Sequence, residues 1–313
     1  MRRAGLRRAG ERAAGVSAGP RVSAIVIFLD EARFIAEAVE SVRAQTYADW
    51  ELILVDDGST DASTAIAREY AAREPQRIRY AEHPGHANRG MSAARNLGVS
   101  LARGEFVGFL DADDVWLPAK LQEQVAIFDA HPEVQMVYGR TQLWNSWRDD
   151  GATDGFCDLG FPPDSVVMPP GLLVSLIENR AQTPTTCNAL MRRGAVERAG
   201  GFEASFRGMF EDQVFFLKLA AAAPVYVAAP AWARYRQRDD SSSAREERSG
   251  QVRASRRTML GWLERYLREQ DLQSPAAWRA LRREQRAARW PRLHALLARA
   301  GKARKAFGSD AAV

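Results

Sequence analysis

Apolar and polar positions change period again and again along the first half of the chain. Val22-Ser-Ala-Ile-Val-Ile-Phe-Leu29 is a short apolar, β-branched run, the pattern of a strand buried on both faces. Over Glu31 to Gln45 the spacing becomes helical, with Phe34, Ile35, Ala38, Val39 and Val42 on one side. The alternation continues through a strand at Glu51 to Val55, a helix at Ala62 to Ala72, a strand at Arg77 to Tyr80 and a helix at Ser92 to Ala102. A strand at Phe106 to Leu110, a helix at Pro118 to Ala130 with proline in its first turn, and a strand at Val134 to Tyr138 complete this half. Strands that alternate with helices predict an α/β domain whose right-handed crossovers wind a mainly parallel sheet twice. In such sheets ligands sit beyond the carboxyl ends of the strands.

Trp144 to Pro170 loses periodicity in Gly, Pro, Asp and scattered aromatics, and reads as a long functional loop. Order returns with a helix at Leu172 to Ile177, a strand near Cys187 to Met191, a helix at Val214 to Ala222 and strands at Val225 to Val227 and Trp232 to Tyr235. Beyond the Ser-rich break at Asp239 to Ser243, Met259, Leu260, Leu263, Tyr266 and Leu267 form an apolar stripe on an Arg-bearing helix. A second such stretch surrounds Leu281, Leu293, Leu296 and Leu297. The stripes suit helices packed on the domain with their arginines in water; docking on a membrane surface is the rival reading. The organisation expected is a mobile basic arm over 1–21, a domain over 22–250 divided near 140, and a basic helical extension over 251–313.

With 313 residues, 46% of them hydrophobic, the chain can bury a substantial core. Its net charge of +5 hides an asymmetry: residues 1–21 carry +5, 22–251 carry −10 and 252–307 carry +11. An acidic body between basic ends excludes a nucleic-acid binder, which needs a basic face on the folded body. It leaves the basic ends free to touch anionic lipid or a partner. Cys157 and Cys187 form no CxxC pair and the four histidines have no zinc spacing, so neither a disulfide scaffold nor structural zinc is expected. No run approaches the roughly 18 to 20 apolar residues of a membrane span, and no secretory signal core opens the sequence. The expectation is a cytoplasmic protein with reduced thiols, able to rest on the inner face of the cytoplasmic membrane.

Carboxylates gather where the apolar runs end: Asp30-Glu31, Asp56-Asp57, Asp111-Ala-Asp113-Asp114, and Glu211-Asp212 before Val214. Such gathering is costly unless a cation or hydrogen-bond donors answer it. Alternate carboxylates at one strand end suit a hard divalent cation, Mg²⁺ or Mn²⁺, which takes one or two carboxylates and completes its shell with water and phosphate. A metal-bridged diphosphate is the natural partner. Asp57 is placed to meet a nucleotide base, Asp61 to cap the following helix, and Arg95 to counter diphosphate charge or to sit as an ordinary helix arginine.

Taken in order, these segments resemble the inverting glycosyltransferase family 2, with its GT-A fold. The resemblance covers Val22 to about Ser243. It rests on Val22-Ser-Ala-Ile-Val-Ile-Phe-Leu-Asp-Glu31, Leu54-Val-Asp-Asp-Gly-Ser-Thr-Asp61, Asn88-Arg-Gly-Met-Ser-Ala-Ala-Arg-Asn-Leu-Gly98, Gly104-Glu-Phe-Val-Gly-Phe-Leu-Asp-Ala-Asp-Asp114, and Gly200-Gly-Phe202 followed by Phe210-Glu-Asp212. It implies a nucleotide-sugar donor, with UDP, dTDP or GDP as carrier, and a saccharide or lipid-linked saccharide acceptor in bacterial surface-glycan assembly. It also implies that the backbone around Phe28 lines the base pocket, that Asp57 contacts the base, and that Arg95 lies by the diphosphate. By the same likeness Asp111 holds the ribose side and joins Asp113 at the metal, while Asp212 is the general base and Glu211 supports its loop. Trp116 and the 144–170 loop become acceptor-side candidates.

Three departures stand out. Ile27 and Asp30 replace a common Pro and Asn, Arg238 stands where relatives often have His and receives no role, and the Gln-x-x-Arg-Trp signature of processive members is missing. Two other functions share parts of this pattern. A nucleotidyltransferase would use similar acids but opens with a Gly-rich loop that Phe28-Leu-Asp-Glu-Ala lacks. A non-catalytic nucleotide-sugar scaffold would have no need of both the Asp113 and Asp212 motifs.

Overall fold

The computed structural model describes residues 19–289, apart from 242–243 and 246–247. Most of the basic arm and Leu293 to Leu297 lie outside the described residues. The chain runs β1 (Val22–Phe28), α1 (Ile35–Arg43), β2 (Trp50–Asp56), α2 (Ser63–Arg73), β3 (Ile78–Glu82), α3 (Met91–Leu101) and β4 (Phe106–Asp111). Next come β5 (Val115–Trp116), α4 (Lys120–Ala130), β6 (Met136–Trp144), β7 (Gly155–Phe156), β8 (Ser165–Val167), α5 (Gly171–Glu178), β9 (Leu190–Arg192) and α6 (Arg193–Arg198). It closes with α7 (Glu211–Ala222), β10 (Val225–Arg236), α8 (Val252–Glu269) and α9 (Pro275–Arg289).

The strands form one sheet in the order β3-β2-β1-β4-β9-β6-β10-β5, with β7 on β6 and β8 on β10. Neighbours among β3, β2, β1 and β4 are parallel, as are β6 and β10. The three-residue β9 runs antiparallel to both β4 and β6 and stitches the two parallel halves together. Alternate residues of β1 sort into two cores. Ile25 and Ile27 join Val107, Phe109 and the apolar residues of α5, α7 and α8, while Ala24, Val26 and Phe28 join Leu54, Leu110, Phe128 and α1. A strand buried on both faces has little use for polar positions, which is why β1 reads as a nearly continuous apolar run, its one polar residue, Ser23, being answered by Glu51 at 2.7 Å.

Three expectations change in detail. The two strands expected at 225–227 and 232–235 are one, β10, with register shifts between Val227 and Ala231 and between Ala231 and Ala233. Pro230 lies in this irregular stretch, since proline lacks the N–H a regular ladder needs. The 144–170 loop carries the short strands β7 and β8, which pair with β6 and β10. Helix α1 begins at Ile35, after Glu31 to Phe34 have formed turns. The stripe Met259, Leu260, Leu263 and Leu267 of α8 is buried, and with Ala277, Ala280 and Leu281 of α9 it belongs to the cluster that contains Phe109 and Phe215. Cys157 and Cys187 are both buried and unpaired with each other.

Close approach of α3 to β1 depends on Gly98, where a Cβ would lie 2.4 Å from Ile25 Cγ2. Gly98→Ala therefore forces helix and strand apart, and we expect a loss of about 1–3 kcal/mol in urea unfolding. Unchanged stability would mean that α3 adjusts freely and does not fix the residues it carries.

Candidate active site

The carboxyl ends of β2, β1 and β4 lie side by side, because Phe28 is in register with Asp56 and Ile27 with Asp111. At the first of these ends two adjacent acids differ in use. Asp56 is fully buried, accepting the N–H groups of Gly58 and Ser59 on one oxygen and the hydroxyls of Thr64 and Tyr80 on the other. Asp57 points the other way and accepts the N–H groups of Arg89, at 2.8 Å, and Gly90, at 2.9 and 3.1 Å. Gly58 adopts φ 90°, and a Cβ there would meet Asn88 N at 2.8 Å, so the turn and the loop before α3 close on each other. Asp57 thus anchors that loop and keeps further acceptor capacity on its carboxylate. Phe28 contributes its carbonyl, which takes the Asp57 N–H at 2.9 Å, while its side chain is in the core.

At the end of β4, Asp111 and Asp113 are partly open, with side-chain exposures of 28% and 17%, whereas Ala112 and Asp114 are buried. Asp114 accepts the Arg236 N–H at 2.9 Å and braces the turn from inside. Arg95 of α3 has a 1% exposed side chain and bridges two elements, Nη2 donating to Asp111 at 2.7 Å and Nη1 to Glu211 at 2.5 Å. Burial opposes its charge, but the two carboxylates more than offset this and hold it protonated. Asp212 follows Glu211 in the first turn of α7 and accepts the Gln213 N–H at 2.7 Å. Burial raises the Asp212 pKa above the usual carboxylate range against the pull of Arg95, and burial pushes Glu211 up to about 7 against the same pull. Asp113 is pushed up to about 7 by burial and then by the charges of Asp111 and Glu31, with Arg238 acting the other way.

The end of β10 closes the site. Arg236 donates through Nε to the Asp113 carbonyl at 2.7 Å, pairs with Glu37, and lies over the rings of Phe34, Trp144 and Trp147. Arg238 donates to both oxygens of Glu31, at 2.6 and 3.0 Å, and its Nη1 is 3.6 Å from Asp113 Oδ2.

Residues 23–200 match the family model described as glycosyl transferase family 2. The chain belongs to glycosyl transferase family 2. EpsE of Bacillus subtilis (strain 168), named a glycosyltransferase, is 38% identical over 122 residues, 39% of this chain and 43% of its own length. The O-antigen biosynthesis protein RfbC of Myxococcus xanthus is 40% identical over 131 residues, 41% of this chain and 10% of its own length. The chain thus spans less than half the length of the curated relatives it matches. Among solved structures, S. aureus TarS in complex with UDP-GlcNAc aligns with a TM-score of 0.58 at 20% identity, over 77% of this chain and 66% of that one. The mannosyltransferase PcManGT of Pyrobaculum calidifontis, in complex with GDP-Man and Mn²⁺, aligns at 0.60 with 22% identity, over 94% of this chain and 81% of that one. Their likeness is one of fold, the GT-A arrangement of a mixed sheet with helices on both faces.

This family 2 glycosyltransferase brings Arg95, Asp111, Glu211 and Asp212 into one connected group, with Asp113 beside Asp111 and Asp57 at the adjoining strand end. Trp116, an acceptor-side candidate, is instead core: it is 1% exposed, packs against Gly108, and donates its indole N–H to the Cys187 carbonyl at 2.8 Å. Asp61 stands one position before the N-cap of α2, yet still accepts the Ser63 N–H at 2.8 Å. Arg238 carried no expected role, and its partner Glu31 lies 207 positions away, a pairing that no local pattern announces. Asp111 and Asp113 are the acids at this strand end that could hold a hard divalent cation, since the Asp113 carboxylate meets its nearby guanidinium only at 3.6 Å and lies close to other acids. Asp56, Glu82 and His86 also place ligand atoms within 4.8 Å of one another. There, however, the acids are engaged by hydroxyls, and His86 bridges Glu82 at 2.8 Å and the Ser59 carbonyl at 2.7 Å, which makes this group a clasp between β3 and the turn after β2.

Removing the Arg95 charge leaves two acids without their shared cation in a buried place. Arg95→Met should lower stability by about 3–5 kcal/mol, and adding Glu211→Gln should restore part of it. Thermal melting of the three proteins checks this; no loss in the single variant would show that the bridge is dispensable.

Proposed function

We propose that this enzyme moves a sugar, with inversion, from a nucleoside-diphosphate sugar to a hydroxyl of a saccharide or lipid-linked saccharide in bacterial surface-polysaccharide assembly. The observation that carries the reading is the Arg95 bridge, which ties the strand-end acids of β4 to the first turn of α7 and so sets Asp212 beside them. The folds shared with TarS and PcManGT, bound to UDP-GlcNAc and GDP-Man, support a nucleotide-sugar donor, and the likeness to the O-antigen biosynthesis protein RfbC supports the polysaccharide setting.

In this reading Asp57 and the backbone around Phe28 receive the base, Asp111 faces the ribose, and Asp111 with Asp113 would hold Mg²⁺ or Mn²⁺. The bound cation would offset charge growing on the departing diphosphate. Asp212 takes the proton of the acceptor hydroxyl as its oxygen attacks the anomeric carbon. Its pKa, raised by burial, suits that work, because a more basic carboxylate accepts a proton more readily. Glu211, held by Arg95, keeps the α7 turn in place. Arg95 acts through its carboxylate partners, since both terminal nitrogens are engaged.

Release of free nucleoside diphosphate from a panel of UDP-, dTDP- and GDP-sugars tests the reading. Turnover should require acceptor and be lost in EDTA. Asp212→Asn should lower kcat by about a hundredfold or more while donor binding persists. Asp113→Ala should weaken metal-dependent donor binding. No release from any donor, or wild-type turnover by the Asn variant, would overturn the assignment. The wild-type rate should fall as pH drops through the raised Asp212 pKa, because only the ionised carboxylate accepts the proton, and this acid limb should sit above the ordinary carboxylate range. The residual rate of Asp212→Asn should lack that limb; a limb that persists would assign it to another group.

A further inference from the structure

The side chain of Arg238 is 9% exposed, and it faces carboxylates on several sides. Glu31 takes two of its nitrogens, at 2.6 and 3.0 Å. Asp240 Oδ1 is 3.1 Å from Nε, and Asp113 Oδ2 is 3.6 Å from Nη1. The Glu31 contact is a two-pronged hydrogen-bonded pair that fixes the guanidinium plane, whereas the Asp113 contact is too long for a hydrogen bond and is purely one of charge. A permanent positive charge is therefore held beside the carboxylate that also fits a divalent cation. Arg cannot relieve this by losing its proton.

We propose that Arg238 is a positioning residue that screens Asp113, so that a divalent cation is bound well at the Asp111 and Asp113 pair only when an anionic diphosphate arrives with it. The inference rests on the metal-assisted reading above. Two cations of like sign compete for one partly buried carboxylate when nothing else is present. The negative charge of a diphosphate lets the guanidinium and the metal share the site, and gives Arg238 a second anion to face. Loading of the metal is then coupled to loading of the donor through a residue that needs to touch neither the sugar nor the acceptor.

Binding of Mn²⁺ alone, without nucleotide, read from loss of the free-ion electron paramagnetic resonance signal, tests this on the full chain. The proteins compared are wild type, Arg238→Gln, Arg238→Lys, and Arg238→Gln combined with Asp113→Asn. Gln retains a donor for Glu31 but removes the charge, so Arg238→Gln should bind Mn²⁺ about tenfold or more tightly than wild type. Lys restores a charge and should return the affinity toward wild type, and Asp113→Asn should abolish the gain. A purely structural role for Arg238 predicts the opposite sign, weaker binding in Arg238→Gln. Unchanged or weaker binding there, a Lys variant as tight as the Gln variant, or a gain that survives Asp113→Asn would each overturn the proposal. None of these results alters the EDTA sensitivity of transfer, so failure of the metal-assisted reading is read separately from that assay.

Discussion

One buried guanidinium holds the site together. Arg95 joins Asp111 to Glu211, residue positions that lie 16 and 116 away along the chain, and does so at 1% exposure. Two carboxylates brought this close in a buried place repel each other, and a cation between them turns the repulsion into a link. The helix that carries Arg95 is itself held at two places. Its N-terminal approach is held by Asp57 through Arg89 and Gly90, and its body lies against β1 because Gly98 offers no Cβ. A displacement of α3 would therefore be felt at the turn after β2 and at the first turn of α7 together. A single packed helix thus joins the ends of β2 and β4 to the start of α7.

Much of this was legible in the pattern of residues, for physical reasons. A strand buried on both faces is largely apolar, so β1, β2 and β4 stood out despite the buried Ser23 and Glu51, and acids at their ends marked the carboxyl side of the sheet. The direction of β9 was not legible, because a three-residue strand, Leu190-Met191-Arg192, looks the same in a parallel or an antiparallel ladder. The single strand β10 read as two because its middle, Ala228 to Pro230, carries neither alternation nor β-branched side chains and the register shifts there. At the site, the Asp111 to Asp114 run was recognised as a unit, but its division into open Asp111 and Asp113 and buried Asp114 follows from β10 lying behind the turn. Trp116 illustrates the reverse error: an aromatic near an acid cluster is as well explained by a core that has a glycine opposite it.

The C-terminal helices change the balance between the two readings their stripes allowed. The apolar residues of α8 and α9 are inside the molecule, against α5 and α7, and Arg256 and Arg283 reach Glu284 and Glu178. What α8 and α9 leave outside is charged, with Arg253, Arg257, Arg265, Arg279 and Arg282 exposed. An interfacial helix needs an apolar face to insert, and here that face is covered by protein. Contact of these two helices with lipid would have to be electrostatic, and would weaken as salt shortens the range of charge. No helix among the described residues is long and apolar enough to cross a membrane.

The acids of the site form a graded series, set by how completely each is answered. Asp56 accepts four donors and Asp114 is sealed behind Arg236, so both hold structure. Asp57 is buried and accepts backbone N–H groups on both oxygens, whereas Asp111 is partly open and engaged by Arg95 through one oxygen. Asp113 and Asp212 are the least compensated: one meets a guanidinium only at 3.6 Å, and the other accepts the neighbouring backbone N–H. Negative charge that the protein does not fully answer is a demand on whatever binds. Asp212 meets Arg95 only through its charge, because both terminal nitrogens of the guanidinium are taken by Asp111 and Glu211. The same bridge that gathers the acids thus decides which of them are left without a hydrogen-bonded cation.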